Sequence, residues 1–415
     1  MHLNDVEHAM LEGRLGPVRR EALARQIAIG RFFDAEDFVE VRQAHIMADT
    51  ESLGEAGVAY LEKLAQAPED ERRVRVPTIT DPRGADFKSW QRIRHAPEFV
   101  ALERRADLAL RALGVLMTDT CINYQTVLPP VKGEHLAFGD TGVVIYTNSV
   151  FGARTNYEGG PSALAAALTG RTPRYGFHLD RHRVGQTRFV VEAEPRDWAE
   201  WGALGGLVGS SMGSYWEVPV LEGIARAPSS DDLKHFGAAL ASFGSTAMFH
   251  MVGITPEAPD PTAAFGGRLP EPRTVRRVDL EAFFARYAPP DEGLDVVVFA
   301  APQLSLIELA TLADLLKGKT IDPKVAMLVA TSPENKAGAD RLGLTATIEA
   351  AGAVVLEGVC FYQMHARELG EANGWTRLMT NSAKLVNIIG GYGYRPVLAP
   401  MERCVAAAIA GRTSR

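Results

Sequence analysis

Cysteine is scarce in this chain: three occur in 415 residues, Cys121, Cys360 and Cys404. An odd number excludes a complete set of internal disulfides, and the absence of any Cys-x-x-Cys excludes the compact zinc motifs. No stretch supplies the roughly 18 consecutive apolar residues of a membrane-spanning helix, so no membrane association is expected. The N-terminus, MHLNDVEHAMLEGRLGP, mixes acids into its first turns and lacks the basic, apolar, small-residue order of a secretory signal; the expectation is a cytoplasmic protein. Basic residues are not in excess either. The formal net charge is −7 with arginines scattered among acids, so nucleic acid is not an expected partner. Short-period repeats and low-complexity tracts are also missing.

What is present is the composition of a globular protein, 46% hydrophobic and 23% charged, over a length that predicts two to three domains. Charged helical patterns at 19–33 and 56–64 precede a short apolar strand at 74–76, which runs into a Thr80-Asp81-Pro82 turn. A helical spacing follows over 99–116 and ends just before Cys121. Residues 246–255, TAMFHMVGIT, read as a buried strand, and the proline-rich span 255–273 has linker composition. Beyond it the order is cleaner: strand (LDVVVFA), helix (LSLIELATLADLLKG), strand (VAMLVAT), helix (335–352), strand (AVVLEGVC) and a terminal helix containing Cys404. This alternation predicts α/β architecture with parallel sheets flanked by helices, and ligands beyond the carboxyl ends of the strands, where Cys360 falls. Two spans are expected: 1–260, an N-terminal α/β region carrying Cys121, and 275–415, a C-terminal α/β domain carrying Cys360 and Cys404.

The densest polar chemistry lies at 133–170, GEHLAFGDTGVVIYTNSVFGARTNYEGGPSALAAALTG. VVIY reads as a strand, followed by a polar glycine loop and an alanine-rich helix, an order suited to small anions at a helix N-terminus. Arg154 can clamp an anion. Asn148, Ser149, Thr155, Asn156, Glu158 and Gly159 are candidate substrate-binding residues, against the plain reading of a tight turn packed on a sheet. Glu134 and His135 are candidate acid–base groups, though a histidine beside a glutamate is equally a hydrogen-bonded core residue; His178, His182 and His250 read as structural. Lys384, where a loop enters a helix, is a candidate for holding a substrate anion or a solvated lysine. The three cysteines are either small core residues or, because each lies at an element end, converging ligands that leave a metal position open. Iron–sulfur and zinc both fit that pattern.

The 133–170 segment, together with TNSAK at 380–384 and ERCVAAAIAG at 402–411, closely resembles the signatures of the aconitase X family, over nearly the whole chain. The resemblance implies a multi-domain aconitase-like fold and the large component of a hydro-lyase, a dehydratase. It implies an iron–sulfur cluster, [4Fe-4S] or a smaller oxidised form, on Cys121, Cys360 and Cys404, whose Lewis-acid iron assists loss of a β-hydroxyl. It also implies a separate small swivelling subunit, hence a heterodimer, that carries the base. The implied substrate is a small hydroxy acid, foremost cis-3-hydroxy-L-proline. Mevalonate 5-phosphate is the alternative, and a non-catalytic module that binds a small anion or senses oxidants is a third reading. One stretch departs from the family pattern: residues 45–57, HIMADTESLGEAG, are more acidic and bear on the substrate.

Overall fold

The computed structural model describes residues 1–288 and 293–413. The expected 275–415 span therefore includes two short segments, 289–292 and 414–415, outside the described residues.

The C-terminal region follows the expected alternation. Five parallel strands run in the order Val354–Glu357, Ala326–Thr331, Val296–Leu304, Arg377–Thr380, Arg395–Leu398. The nine-residue central strand is buried at every position, which is why its sequence is a continuous apolar run and not an alternating one. Helices Leu306–Leu316, Ala383–Ile389 and Met401–Ala410 cover the sheet, and serine N-caps open the first two: Ser305 accepts from the Glu308 N–H and Ser382 from the Leu385 N–H. The helix expected over 335–352 is two helices, Pro333–Arg341 and Leu344–Ala350. Gly343, at φ 71°, ends the first and opens the second.

The N-terminal region is built around two smaller parallel sheets. One is three-stranded, in the order Thr78–Thr80, Ala44–Ile46, Ala137–Phe138; the other is four-stranded, in the order His250–Met251, Pro219–Glu222, Thr187–Val191, Pro272–Val275. Strand pairing in TAMFHMVGIT is confined to its central two residues. VVIY is not a strand. It lies in the helix Thr141–Tyr146, which continues as a π-turn through Phe151. Asp140 decides this: its carboxylate accepts the N–H groups of Gly142 and Val143 at 2.8 and 3.2 Å, and that cap starts a helix which burial on all sides then holds.

The N-terminal and C-terminal sheets meet at their carboxyl ends. The Arg83 N–H donates to Gly358 O at 2.8 Å, and its guanidinium bridges Asp119 at 2.9 Å and Glu357 O at 2.8 Å, joining the two regions just beyond strands Thr78–Thr80 and Val354–Glu357. Chain segments pack closely here. A Cβ on Gly160 would lie 2.3 Å from Met47 O, so only glycine lets the loop 157–160 seat against residues 45–47.

Candidate active site

Three strand ends and one helix start deliver side chains to this junction. Asp81 follows strand Thr78–Thr80, Asp140 follows strand Ala137–Phe138, Cys360 follows strand Val354–Glu357, and Lys384 occupies the first turn of helix Ala383–Ile389. Strands in parallel register place their last residues side by side, which is why positions far apart in sequence converge here.

Lys384 and Asp140 form the centre. Nζ lies 3.2 Å from Oδ1 and 5.5 Å from the centroid of the Tyr362 ring, and both charged side chains are 3% exposed. Asp140 itself adopts φ +64°, a left-handed conformation sustained by its two cap bonds and its ion pair. Burial works against the charge on Lys384, but Asp140, the two neighbouring thiols and Asp81 outweigh it and hold its pKa above the ordinary value. Burial likewise opposes ionisation of Asp140, and Lys384 and His45 overcome it, so its pKa is lowered. The pair is therefore charged at neutral pH.

Behind it lie groups of the opposite kind. Burial, then the Asp140 charge and Cys121, push Asp81 well above the carboxylate range; its Oδ2 accepts from Gln363 Nε2 at 2.8 Å. His45 donates through Nε2 to Thr120 O at 2.9 Å, and burial lowers its pKa, so the ring is neutral. The Cys360 thiol beside it, followed by burial, pushes the Cys121 thiol well up. A cleft of about 460 Å³ opens over this cluster, lined by Asp140, Lys384, Tyr362 and Tyr157 and by the backbone around Glu158 and Gly159. Met47, from the acidic stretch, lines it too, whereas Asp49 and Glu51 face Gln363 and the His365 N–H on its far side.

Most of the polar residues expected to orient substrate face away from the cleft. The Asn148 amide donates to Thr155 O and Ala247 O, each at 2.9 Å, and accepts from the Thr155 N–H at 3.0 Å. Ser149 Oγ accepts from the Phe249 N–H, Thr155 Oγ1 from the Phe138 N–H, and Asn156 Oδ1 from the Phe177 N–H. Arg154 pairs with Asp180 and donates to His178 O at 3.0 Å. The Glu158 carboxylate accepts from Thr172 and Ser162, inside the N-terminal region. His135 and His178 share a contact of 2.9 Å between their Nδ1 atoms, and Glu134 accepts from the Val131 N–H. The physical reason is that an irregular loop buried this deeply must satisfy its own backbone, and these side chains are consumed in doing so. Of the expected site residues, Lys384 and the backbone of Glu158 and Gly159 line the cleft, with Cys121 and Cys360 beneath it. Asp140, Asp81, His45, Tyr362 and Gln363 complete the cluster and were not singled out from sequence as site residues, although Asp-Pro at 81–82 and Gly-Asp at 139–140 mark the turns that carry two of them.

The three cysteines do not converge. Cys121 and Cys360 adjoin each other, but Cys404 lies in the core between the C-terminal sheet and its terminal helix, where its thiol donates to Ala399 O at 3.5 Å and burial alone is the leading cause that raises its pKa. Met401, Cys404, Val405 and Ala408 are all buried, an i, i+3, i+4, i+7 stripe that points the thiol into that core. Among the described residues no group of three His, Cys, Asp or Glu side chains is arranged to hold a metal ion. The residues present do not fit a cluster held by three thiolates.

Family models for the first, second and third domains of aconitase X match residues 1–181, 185–285 and 294–410. The phosphomevalonate dehydratase large subunit of Methanosarcina mazei is 33% identical over 99% of this chain and 98% of its own length. The cis-3-hydroxy-L-proline dehydratase of Pseudomonas aeruginosa is 34% identical over 99% of this chain, which spans 70% of that longer protein. The crystal structure of Thermococcus kodakaraensis aconitase X in its holo-form superposes with a TM-score of 0.87 at 29% identity, covering 98% of this chain and all of that one. With the parallel sheets, the converging strand ends and all three domain models in agreement, the chain belongs to the aconitase X family.

Proposed function

We propose that this chain is the large subunit of a two-component hydro-lyase that removes water from cis-3-hydroxy-L-proline, working with a small swivelling subunit in the cytoplasm. The observation that carries the substrate is the charge balance of the cleft. Among the described residues its ion pair is one cation, Lys384, and one carboxylate, Asp140, which complements a zwitterionic amino acid. The Glu158 carboxyl, its pKa raised to about 7 by burial, is turned away to Thr172 and Ser162. A substrate carrying both a phosphate and a carboxylate brings two to three negative charges to a site with a single, already paired ammonium.

Lys384 has three N–H donors, one of them directed at Asp140. The others are available to the substrate carboxylate, where they counter the charge that builds as the α-proton leaves. Asp140 holds the lysine in place and accepts from the substrate ammonium. Burial, Asp140 and Cys360 push the Tyr362 phenol well up, so it stays protonated and able to donate to the departing hydroxyl. The base that takes the α-proton comes from the small subunit. Electron balance is closed: the C–H pair becomes the new π bond and the C–O pair leaves with the hydroxyl, which gains a proton to form water. Glu134 and His135 take no part in these steps, and none is routed through an iron–sulfur cluster.

The second reading, mevalonate 5-phosphate, is favoured by one observation, the end-to-end match to a phosphomevalonate dehydratase large subunit. Co-expressing the chain with its small subunit and measuring dehydration of each compound separates the two. We expect kcat/KM for cis-3-hydroxy-L-proline to exceed that for mevalonate 5-phosphate by at least about 100-fold, or roughly 2.7 kcal/mol. The reverse ratio overturns the substrate, and inactivity on both with a stably assembled complex overturns the hydro-lyase reading in favour of a binding module.

A further inference from the structure

We infer that no iron–sulfur cluster in this chain is held through three cysteines: Cys404 is a core residue, and the cysteine donors at the cleft stop at Cys121 and Cys360. The terminal helix carries the first part of the argument. Turning Cys404 toward the cleft would rotate the whole Met401, Cys404, Val405, Ala408 stripe out of the core it shares with Val297, Met327 and Met379. A helix cannot redirect one residue of a stripe without redirecting the others.

The third side of the thiol pair supplies the second part. It is closed by Gln303, which is fully buried at the end of the central strand. The Gln303 N–H donates to Cys121 Sγ at 3.5 Å, and its Oε1 accepts from the Cys121 N–H at 3.3 Å. Its Nε2 donates to Asp119 O at 3.0 Å, Val359 O at 3.2 Å and Thr331 O at 3.4 Å, while its own carbonyl accepts from Lys234 at 3.2 Å. Every hydrogen-bonding group of this residue is engaged, the side-chain amide on backbone at Asp119, Cys121, Thr331 and Val359 and the main chain on Cys121 Sγ and Lys234 Nζ. An uncharged amide so engaged is a wall and not a spare ligand, and withdrawing it would orphan the buried carbonyls of Asp119 and Val359. A cluster held by three cysteines needs sulfur on three sides; here Cys121 and Cys360 adjoin each other and the Gln303 amide closes the third side.

The inference stands apart from the dehydratase reading, because its test uses no substrate. The full chain, with its small subunit present, is reconstituted anaerobically with ferrous iron and sulfide and desalted. Iron, acid-labile sulfide and visible absorption are then measured per chain for the wild type, Cys404→Ala, Cys404→Val, Cys121→Ser and Cys360→Ser. We expect both Cys404 variants to match the wild type within experimental scatter, whether its content is nil or stoichiometric, and any iron retained to be lost in Cys121→Ser or Cys360→Ser. The inference is overturned by a wild-type cluster whose iron and sulfide both fall more than about tenfold in the two Cys404 variants while their melting transitions stay cooperative. Using alanine and valine together guards against one of them failing to pack.

Discussion

Among the described residues are two deeply buried lysine–carboxylate pairs that look alike in geometry and differ in everything around them. Lys234, on helix Ser230–Gly244, contacts Glu308 and Asp231 and donates to Gln303 O; His235 adds a 2.6 Å bond to Glu308, and Ser305 caps the same carboxylate network. It is sealed between regions, and its hydrogen-bonding capacity is filled. Lys384 has one hydrogen-bonded partner among the described residues, Asp140, and a cleft on its other side. A saturated pair joins elements, whereas a pair with donors left over is equipped to take a ligand. The comparison teaches that satisfaction, more than burial or charge, separates a structural ion pair from a functional one.

The widest gap between the two pairs is expected in turnover. Lys384→Met should reduce kcat/KM of the reconstituted complex by about 10³-fold, near 4 kcal/mol, because it removes the charge opposite the developing carbanion. Its effect on unfolding should be less than half that of the matching change at Lys234, since water in the cleft can solvate Asp140. Steady-state kinetics and denaturant unfolding of both variants check this, and equal stability losses would erase the distinction.

Lys234→Met is expected to cost roughly 3 to 5 kcal/mol of stability, as Glu308 and Asp231 are left buried without their shared cation. At low temperature the folded fraction should keep nearly wild-type kcat. A kcat loss as deep as that of Lys384→Met would place Lys234 in the chemistry.

The third test uses acid. Burial opposes ionisation of Glu308, but Lys234 and His235 outweigh it and hold its pKa down at about 2. A depressed carboxylate contributes stability that is complete above its unfolded value near 4.5 and is lost as pH falls toward 2; the shift corresponds to about 3 kcal/mol. Glu158 has the opposite sign. Burial raises it to about 7, so the fold favours its protonated form, and its contribution is complete below about 4.5 and lost as pH rises through 7. Unfolding free energies at pH 3, 5 and 8 should show Glu308→Gln flattening the acid side and Glu158→Gln, with the smaller effect, flattening the neutral side.

How much of this was legible in the sequence depended on what each segment buries. The C-terminal strands bury both faces, so their apolar runs are long enough to read, and Ser305 and Ser382 cap two of the helices that cover them. VVIY has the same composition as a short buried strand; only the cap bonds of Asp140, a single residue, turn it into a helix. Lys384 was legible because Ser382 starts its helix and sets it on the first turn. Its partner was not, because a Gly-Asp-Thr-Gly turn looks like any loop until the distant lysine arrives. Asn148, Ser149, Thr155 and Asn156 drew attention as polar residues in a loop, yet pattern cannot tell a side chain that serves a ligand from one that serves backbone carbonyls and N–H groups nearby. Cys404 carried a readable signal, the four-residue apolar stripe of its helix, which its position near an element end obscured.

Gln303 also bears on the order in which this protein is made ready. Its amide joins Asp119 and Cys121, more than 180 positions away in sequence, to Thr331 and Val359. Bonds of such separation are slow to form, since a long loop must close before any of them stabilises the chain. Both regions can thus have their sheets in place while the floor of the cleft is still open, and recovery of ligand binding in a refolding experiment should lag behind recovery of secondary structure.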